Sequence, residues 1–138
     1  MRQLRHRIVR GERGQALVEF ALGSVLFLMT VFGTLQFALM IWRYNMISNL
    51  AQEGARWASV RGSSSTLTGA PATSGTVRNF VDTRSTGFTV TATITPDPVG
   101  AQGSIVSVQV QTSFAPLTGL LPLTTINMSS TAKMIVAR

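Results

Sequence analysis

The sequence predicts an α+β fold, with one long N-terminal helix followed by a small antiparallel β-meander of about three strands. Three observations lead there. Residues 20–42 form a run of 23 without a charged side chain, and helical spacing of apolar residues continues to about residue 60 with no proline from 18 to 60. From residue 88 onward the apolar period becomes two, in three separate stretches. Between these regimes, residues 62–75 are Gly, Ser, Thr, Ala and Pro with a single Leu, a composition that marks a flexible connection or a long loop.

The apolar run is long enough to cross a hydrocarbon core as a helix with some tilt, so lipid is its expected environment over about residues 18–42. Its only interruptions are Gly23, Ser24, Thr30, Gly33, Thr34 and Gln36. Residues 1–14 form a short basic leader. They carry Arg2, Arg5, Arg7, Arg10 and Arg13 against Glu12, which is +4 of the +7 net charge. Arginines beside a span are retained on the cytoplasmic side, so the leader is expected inside and the C-terminus outside. The run is too long for the core of an ordinary secretory signal, and no Ala-x-Ala site follows it. A single-pass membrane protein with its N-terminus inside and its C-terminus outside is therefore expected.

Trp42, Arg43 and Tyr44 make an interfacial anchor, where amphipathic side chains lie at headgroup depth. Beyond them Ile47, Leu50, Ala51, Gly54, Trp57 and Ala58 recur on one helical face, while Asn45, Ser48, Asn49, Gln52, Glu53 and Arg56 fill the other. Residues 15–61 read as one continuous helix, with an unbroken pattern over about 43 residues, roughly 65 Å. Half of it lies in lipid and half stands in water. Gly62 is expected as its C-cap, with Arg61 in the last turn, where a cation suits the helix dipole.

Residues 76–138 are expected as a small extracytoplasmic, β-rich domain. A short helix is predicted over 76–82, with Val77, Phe80 and Val81 on one side. In the first strand Val90, Ala92 and Ile94 alternate with threonines, ending at Pro96-Asp97-Pro98. In the second Val106, Val108 and Val110 alternate with Ser107, Gln109 and Gln111, up to Phe114. In the third Ile126, Met128, Ser130, Ala132, Met134 and Val136 share one parity. Each has one apolar face, the pattern of an antiparallel sheet solvated on one side. The stripe on the second half of the long helix is the nearest cover for it. The connection 115–125 holds two prolines and five apolar residues, and is expected to pack on a sheet edge or a neighbour.

Several chemistries are excluded by composition. The chain has no cysteine, hence no disulfide, thiolate metal site or cysteine nucleophile. Its one histidine, His6, lies in the leader, so neither a Ser-His-Asp triad nor a multi-histidine metal site is expected outside. Glu53, Asp82 and Asp97 are the acids beyond the span; a surface pairing, a helix end and a turn account for them. The basic segment has no interleaved aromatic, which argues against nucleic acid as partner. No enzyme activity, metal or cofactor is expected.

Glu19 is the informative residue. A carboxylate at the bilayer centre costs about 2.5–3.5 kcal/mol on insertion scales, and less near the interface. One reading places it in the first helical turn at headgroup depth, where an anion suits the dipole. That leaves Gly14 unexplained, at the joint between charged and apolar segments. The sharper reading makes Gly14–Gln15 a cleavage point. The new α-amine on Gln15 would lie near Glu19, and the amine of one helix and the carboxylate of another could neutralise each other in low dielectric. Thr30, Thr34 and Ala38, four residues apart, form a small-residue line that would let such helices approach.

Gly14-Gln15-Ala16-Leu17-Val18-Glu19-Phe20 resembles the Gly, four residues, Glu-Phe/Tyr processing site of Flp-type prepilins and TadE-like pseudopilins. Ala51-Gln52-Glu53-Gly54-Ala55-Arg56-Trp57-Ala58 resembles the post-membrane helix of TadE/TadG-like proteins. This resemblance to the TadE/TadG-like minor pilins of the Tad/Flp-type pilus system implies a pilin-like fold and removal of residues 1–14 by a prepilin peptidase. Glu19 and Phe20 would then serve cleavage recognition, subunit packing or both. The partners implied are the peptidase, other pilin subunits in a homo- or hetero-oligomeric filament, and the assembly platform. The function implied is that of a structural subunit for surface adhesion, membrane-held and possible in an extracellular filament. The alternative is an uncleaved bitopic protein whose exported domain binds a partner in the cell envelope.

Overall fold

The computed structural model describes residues 9–116 and 125–137, with side chains from residue 14 onward within those ranges. Most of the leader and of the apolar connection, residues 1–8 and 117–124, lie outside the described residues. Five elements follow in order: α1 (Val9–Ser59), α2 (Ser74–Asp82), β1 (Thr91–Thr95), β2 (Ile105–Phe114) and β3 (Ile126–Ile135). The strands form one antiparallel sheet in the order β1-β2-β3. This is the long helix and meander of an α+β fold, as the two periodicities predict.

α1 is 51 residues long, about 76 Å. It starts at Val9, upstream of the expected residue 15. The change from charged to apolar side chains near residue 14 marks a change of environment, and nothing there breaks a helix. The far end also differs from expectation. Only Gly69, Gly87 and Gly103 have positive φ among the described glycines, so Gly62 is not a left-handed cap. Side-chain and long-range donors do the capping instead. Arg61 sends Nη1 to the Trp57 carbonyl at 3.1 Å, and the Ala137 N–H donates to Ser59 O at 2.8 Å.

Of the two readings of residues 62–75, a flexible connection or a long loop, the structure shows a loop folded onto the domain. The Ala72 N–H donates to Arg61 O, the Val99 N–H to Ala72 O and the Ser63 N–H to Gly100 O. α2 then begins at Ser74, earlier than expected, because Thr73 and Thr76 close a capping box: Thr73 Oγ1 accepts from the Thr76 N–H and Thr76 Oγ1 from the Thr73 N–H. Ser74 Oγ accepts from the Ile94 N–H at 3.1 Å, and Asp97 Oδ2 from the Ser74 N–H at 3.2 Å, so the helix start is tied to β1 and the turn after it.

The core lies between α1, α2 and the inner face of the sheet. Val90, Ala92 and Ile94, then Val106, Val108, Val110 and Phe114, are buried on the predicted parity. α2 lies on β1 through Val77 and Val81, and α1 crosses β2 and β3. The α1 stripe that meets them is Ile47, Leu50, Ala51, Ala55 and Ala58. Each fully buried aliphatic contributes about 1.5–3 kcal/mol, so the domain leans on this helix for much of its core. β3 is covered less completely: Met128 is buried, Ile126, Ala132 and Met134 pack on the core while only partly buried, and Val136 is buried just past the strand.

Gly54 sits at a close approach of α1 to β2 and α2. A Cβ there would lie 3.2 Å from Val108 Cγ1 and 3.4 Å from Val81 Cγ2. Adding a branched side chain would force the helix off the sheet, at about 1–3 kcal/mol. Gly54→Val is therefore expected to lower the unfolding free energy of the detergent-solubilised chain by that amount, read as a lower urea midpoint. An unchanged midpoint would show that the packing can give way.

Candidate functional site

Three parts of α1 carry the residues singled out by the sequence. The first is the stretch from Gly14 to Phe20. All its side chains are exposed, among them Leu17, Val18 and Phe20 at 69%, 69% and 75%. Gly14 lies inside the helix, and a Cβ on it would meet nothing within 4 Å. The chain itself therefore does not require glycine there. Glu19 is ten positions into α1, beyond the first turn where the dipole favours an anion. The dipole explanation of Glu19 fails for the uncut helix.

Further along the span, Thr30, Thr34 and Ala38 are exposed. Thr30 Oγ1 donates to Leu26 O at 2.9 Å and Thr34 Oγ1 to Thr30 O at 2.8 Å; Ser24 does the same to Phe20 O at 2.6 Å. These hydroxyls are satisfied within their own helix, which makes them tolerable in an apolar setting.

The second part is the junction at Trp42, Arg43 and Tyr44. Trp42 and Tyr44 are about half exposed, at 49% and 50%. Arg43 turns the other way, into the sheet domain. Its guanidinium lies over the rings of Phe88 and Phe114, at 5.5 and 5.2 Å from their centroids, and Nη1 donates to Ser113 O at 3.3 Å. Trp42 meets the Phe88 ring edge to face at 6.1 Å. Phe88 and Phe114 were not singled out from the sequence as parts of this junction. Their positions at a strand entry and a strand end were legible; which strand ends lie beside residue 43 was not.

The third part is the far end of α1, where four side chains stack. Arg61 lies over Trp57 at 4.1 Å, Trp57 packs on Phe80 of α2 at 5.1 Å, and Arg84 lies over the Phe80 ring at 3.8 Å. Glu53 closes the row through a 3.4 Å ion pair with Arg84. Gly69, with φ +83°, approaches Trp57: a Cβ on it would lie 3.3 Å from the ring. The stack joins α1, the following loop, α2 and the segment after α2. The remaining acids beyond the span also have structural partners: Asp82 pairs with Arg78 at 3.7 Å, and Asp97 caps α2. Among the described residues no group of three or more His, Cys, Asp or Glu is placed to hold a metal.

Residues 14–56 match the family described as TadE-like protein. The match is consistent with a TadE-like protein of the Tad pilus system. It opens at Gly14, takes in Glu19, the span and the Arg43 junction, and closes at Arg56, so the whole sheet lies outside it. No curated protein and no solved structure matches the chain. TadE-like similarity suggests a minor-pilin-like role associated with the Tad pilus, with other pilin subunits as partners. The one apolar helix long enough to cross a membrane, found near the N-terminus among the described residues, fits a single-pass membrane protein.

The distal stack separates two kinds of contact. Glu53→Gln removes an ion pair whose members are about half exposed, and is expected to cost less than about 1 kcal/mol. Trp57→Ala removes the shared ring, and is expected to cost about 3 kcal/mol, the lower end for loss of a large aromatic. Urea unfolding of the two variants checks the ranking, and equal losses would refute it.

Proposed function

We propose that this chain is a structural, minor-pilin-like subunit of a Tad-type pilus assembly system, cut by a prepilin peptidase between Gly14 and Gln15, with no reaction of its own. The observation that carries the proposal is Glu19, an exposed carboxylate among exposed apolar side chains, five positions after a glycine that the fold does not need. In the uncut helix Glu19 gains little from the dipole. After cleavage it becomes the fifth residue of a new helix, about 6 Å along the axis from the Gln15 amine. A carboxylate and an amine on neighbouring subunits then satisfy each other, where either alone would be costly. The basic leader is the topology signal that keeps the N-terminus inside and sends the sheet domain out of the inner membrane. The exposed apolar faces of α1 remain for contact with other subunits, in a filament whose end use is adhesion.

Processing is tested by mass spectrometry of the chain produced with its peptidase. A mature N-terminus at Gln15 is expected, and any other terminus refutes the proposed site. Gly14→Leu should abolish cleavage while leaving helicity and membrane insertion unchanged, because a side chain there meets nothing in the chain itself.

Glu19→Ala separates this reading from an uncleaved anchor. Membrane insertion is expected to survive and assembly with other subunits to fail. Unimpaired assembly would remove the role given to the carboxylate.

A further inference from the structure

The stripe of α1 covered by the rest of the chain reaches further down than the wet half of the helix. Gln36 is 6% exposed, and Met40 packs against the domain core. On the same turns Phe37, Leu39 and Ile41 are 59%, 44% and 45% exposed. One level of the helix is therefore covered on one side and bare and apolar on the others. Bare apolar side chains of this size call for hydrocarbon or its edge.

Length points the same way. Below Gln36, residues 15–35 supply 21 positions, about 31 Å of helix, which only just equals a hydrocarbon core of about 30 Å. That register would bury Glu19 four residues deep. Sliding the span outward, so that Glu19 stays at the cytoplasmic edge, places the outer edge near residue 40. Trp42 and Tyr44 then stand in the headgroup layer, which suits half-exposed aromatics with polar tips.

Arg43 fixes what else stands at that level. Its guanidinium holds Phe88, Phe114 and the Ser113 carbonyl, and Trp42 touches Phe88. The end of the sheet domain nearest the span cannot lift away from residue 43 without losing these contacts. We infer that this end of the domain sits in the outer headgroup layer of the membrane before assembly, with Phe88 beside Trp42 as a second interfacial anchor. The occupant of this surface is lipid, and the inference rests on the single-pass reading of α1. The distal end, at Trp57, stands about 22 Å further along the helix from Trp42, clear of the headgroups.

The test uses the full chain in vesicles of phosphatidylcholine brominated near the head of the acyl chain. Three single-tryptophan forms are compared: Trp57→Phe, Trp42→Phe, and Phe88→Trp combined with Trp42→Phe and Trp57→Phe. The first and third are expected to lose emission relative to unbrominated vesicles, and the second to keep it. An integrated chain whose Phe88→Trp form is not quenched overturns the seating of the domain and leaves the span intact. A chain stripped from vesicles by alkaline wash overturns the single-pass reading itself. The unmodified chain gives a second measurement, in nanodiscs containing headgroup spin-labelled lipid. The Phe88 and Ser113 amides should broaden and the Gly103 amide should not; equal, unbroadened signals at all three overturn the inference.

Discussion

The sheet depends on the close packing of a small-residue face of α1 onto it. Ala51, Gly54, Ala55 and Ala58 let the helix backbone settle against Val106, Val108 and Val110, and Gly54 marks a close approach. The roughly 77 residues after the helix bury only a thin core by themselves, and α1 supplies Ile47, Leu50, Ala51, Ala55 and Ala58 to it. The helix that carries the apolar run is thus part of the sheet domain's fold. Its first half is bare and apolar and its second half is covered by the sheet, with no break between them.

Two clamps hold this arrangement at its ends, and both pair cations with aromatic rings. At the membrane end Arg43 lies between Phe88 and Phe114; at the far end Arg61, Trp57, Phe80 and Arg84 stack in a row. Arginine suits both sites because its planar, weakly hydrated head can lie on a ring while its nitrogens still reach a carbonyl or a carboxylate. The two clamps fix the direction of the sheet domain relative to α1.

Much of the architecture was legible in the sequence. The parity of Val90, Ala92 and Ile94, and of Val106, Val108 and Val110, identified the inner face of the sheet, and the stripe from Ile47 to Ala58 identified its cover. The helix runs on upstream of Gln15 to Val9, because the shift from charged to apolar residues does not break a helix. The helix stop was misassigned to Gly62, because a glycine after a helix is a good local signal and a capping arginine from the next turn is not. In the candidate site, Gly14 and Glu19 stood out as residues that do not fit their local setting, and that misfit is a local property. The partner of Glu53 is Arg84, 31 positions away, which no helical spacing could reveal.

The sequence by itself determined the order of elements, their type, the inner face of each strand and the charge pattern about the span. These follow from periods of 3.6 and 2 and from neighbouring side chains, which act within a few residues. Only the tertiary structure decided which strand ends return to the level of residue 43 and what they meet there. Arg43 reaches the Ser113 carbonyl across 70 positions of chain. That contact exists only once β2 has turned back antiparallel to both β1 and β3 and the sheet has closed on α1, so its cause lies in packing and leaves no periodic trace in the residues.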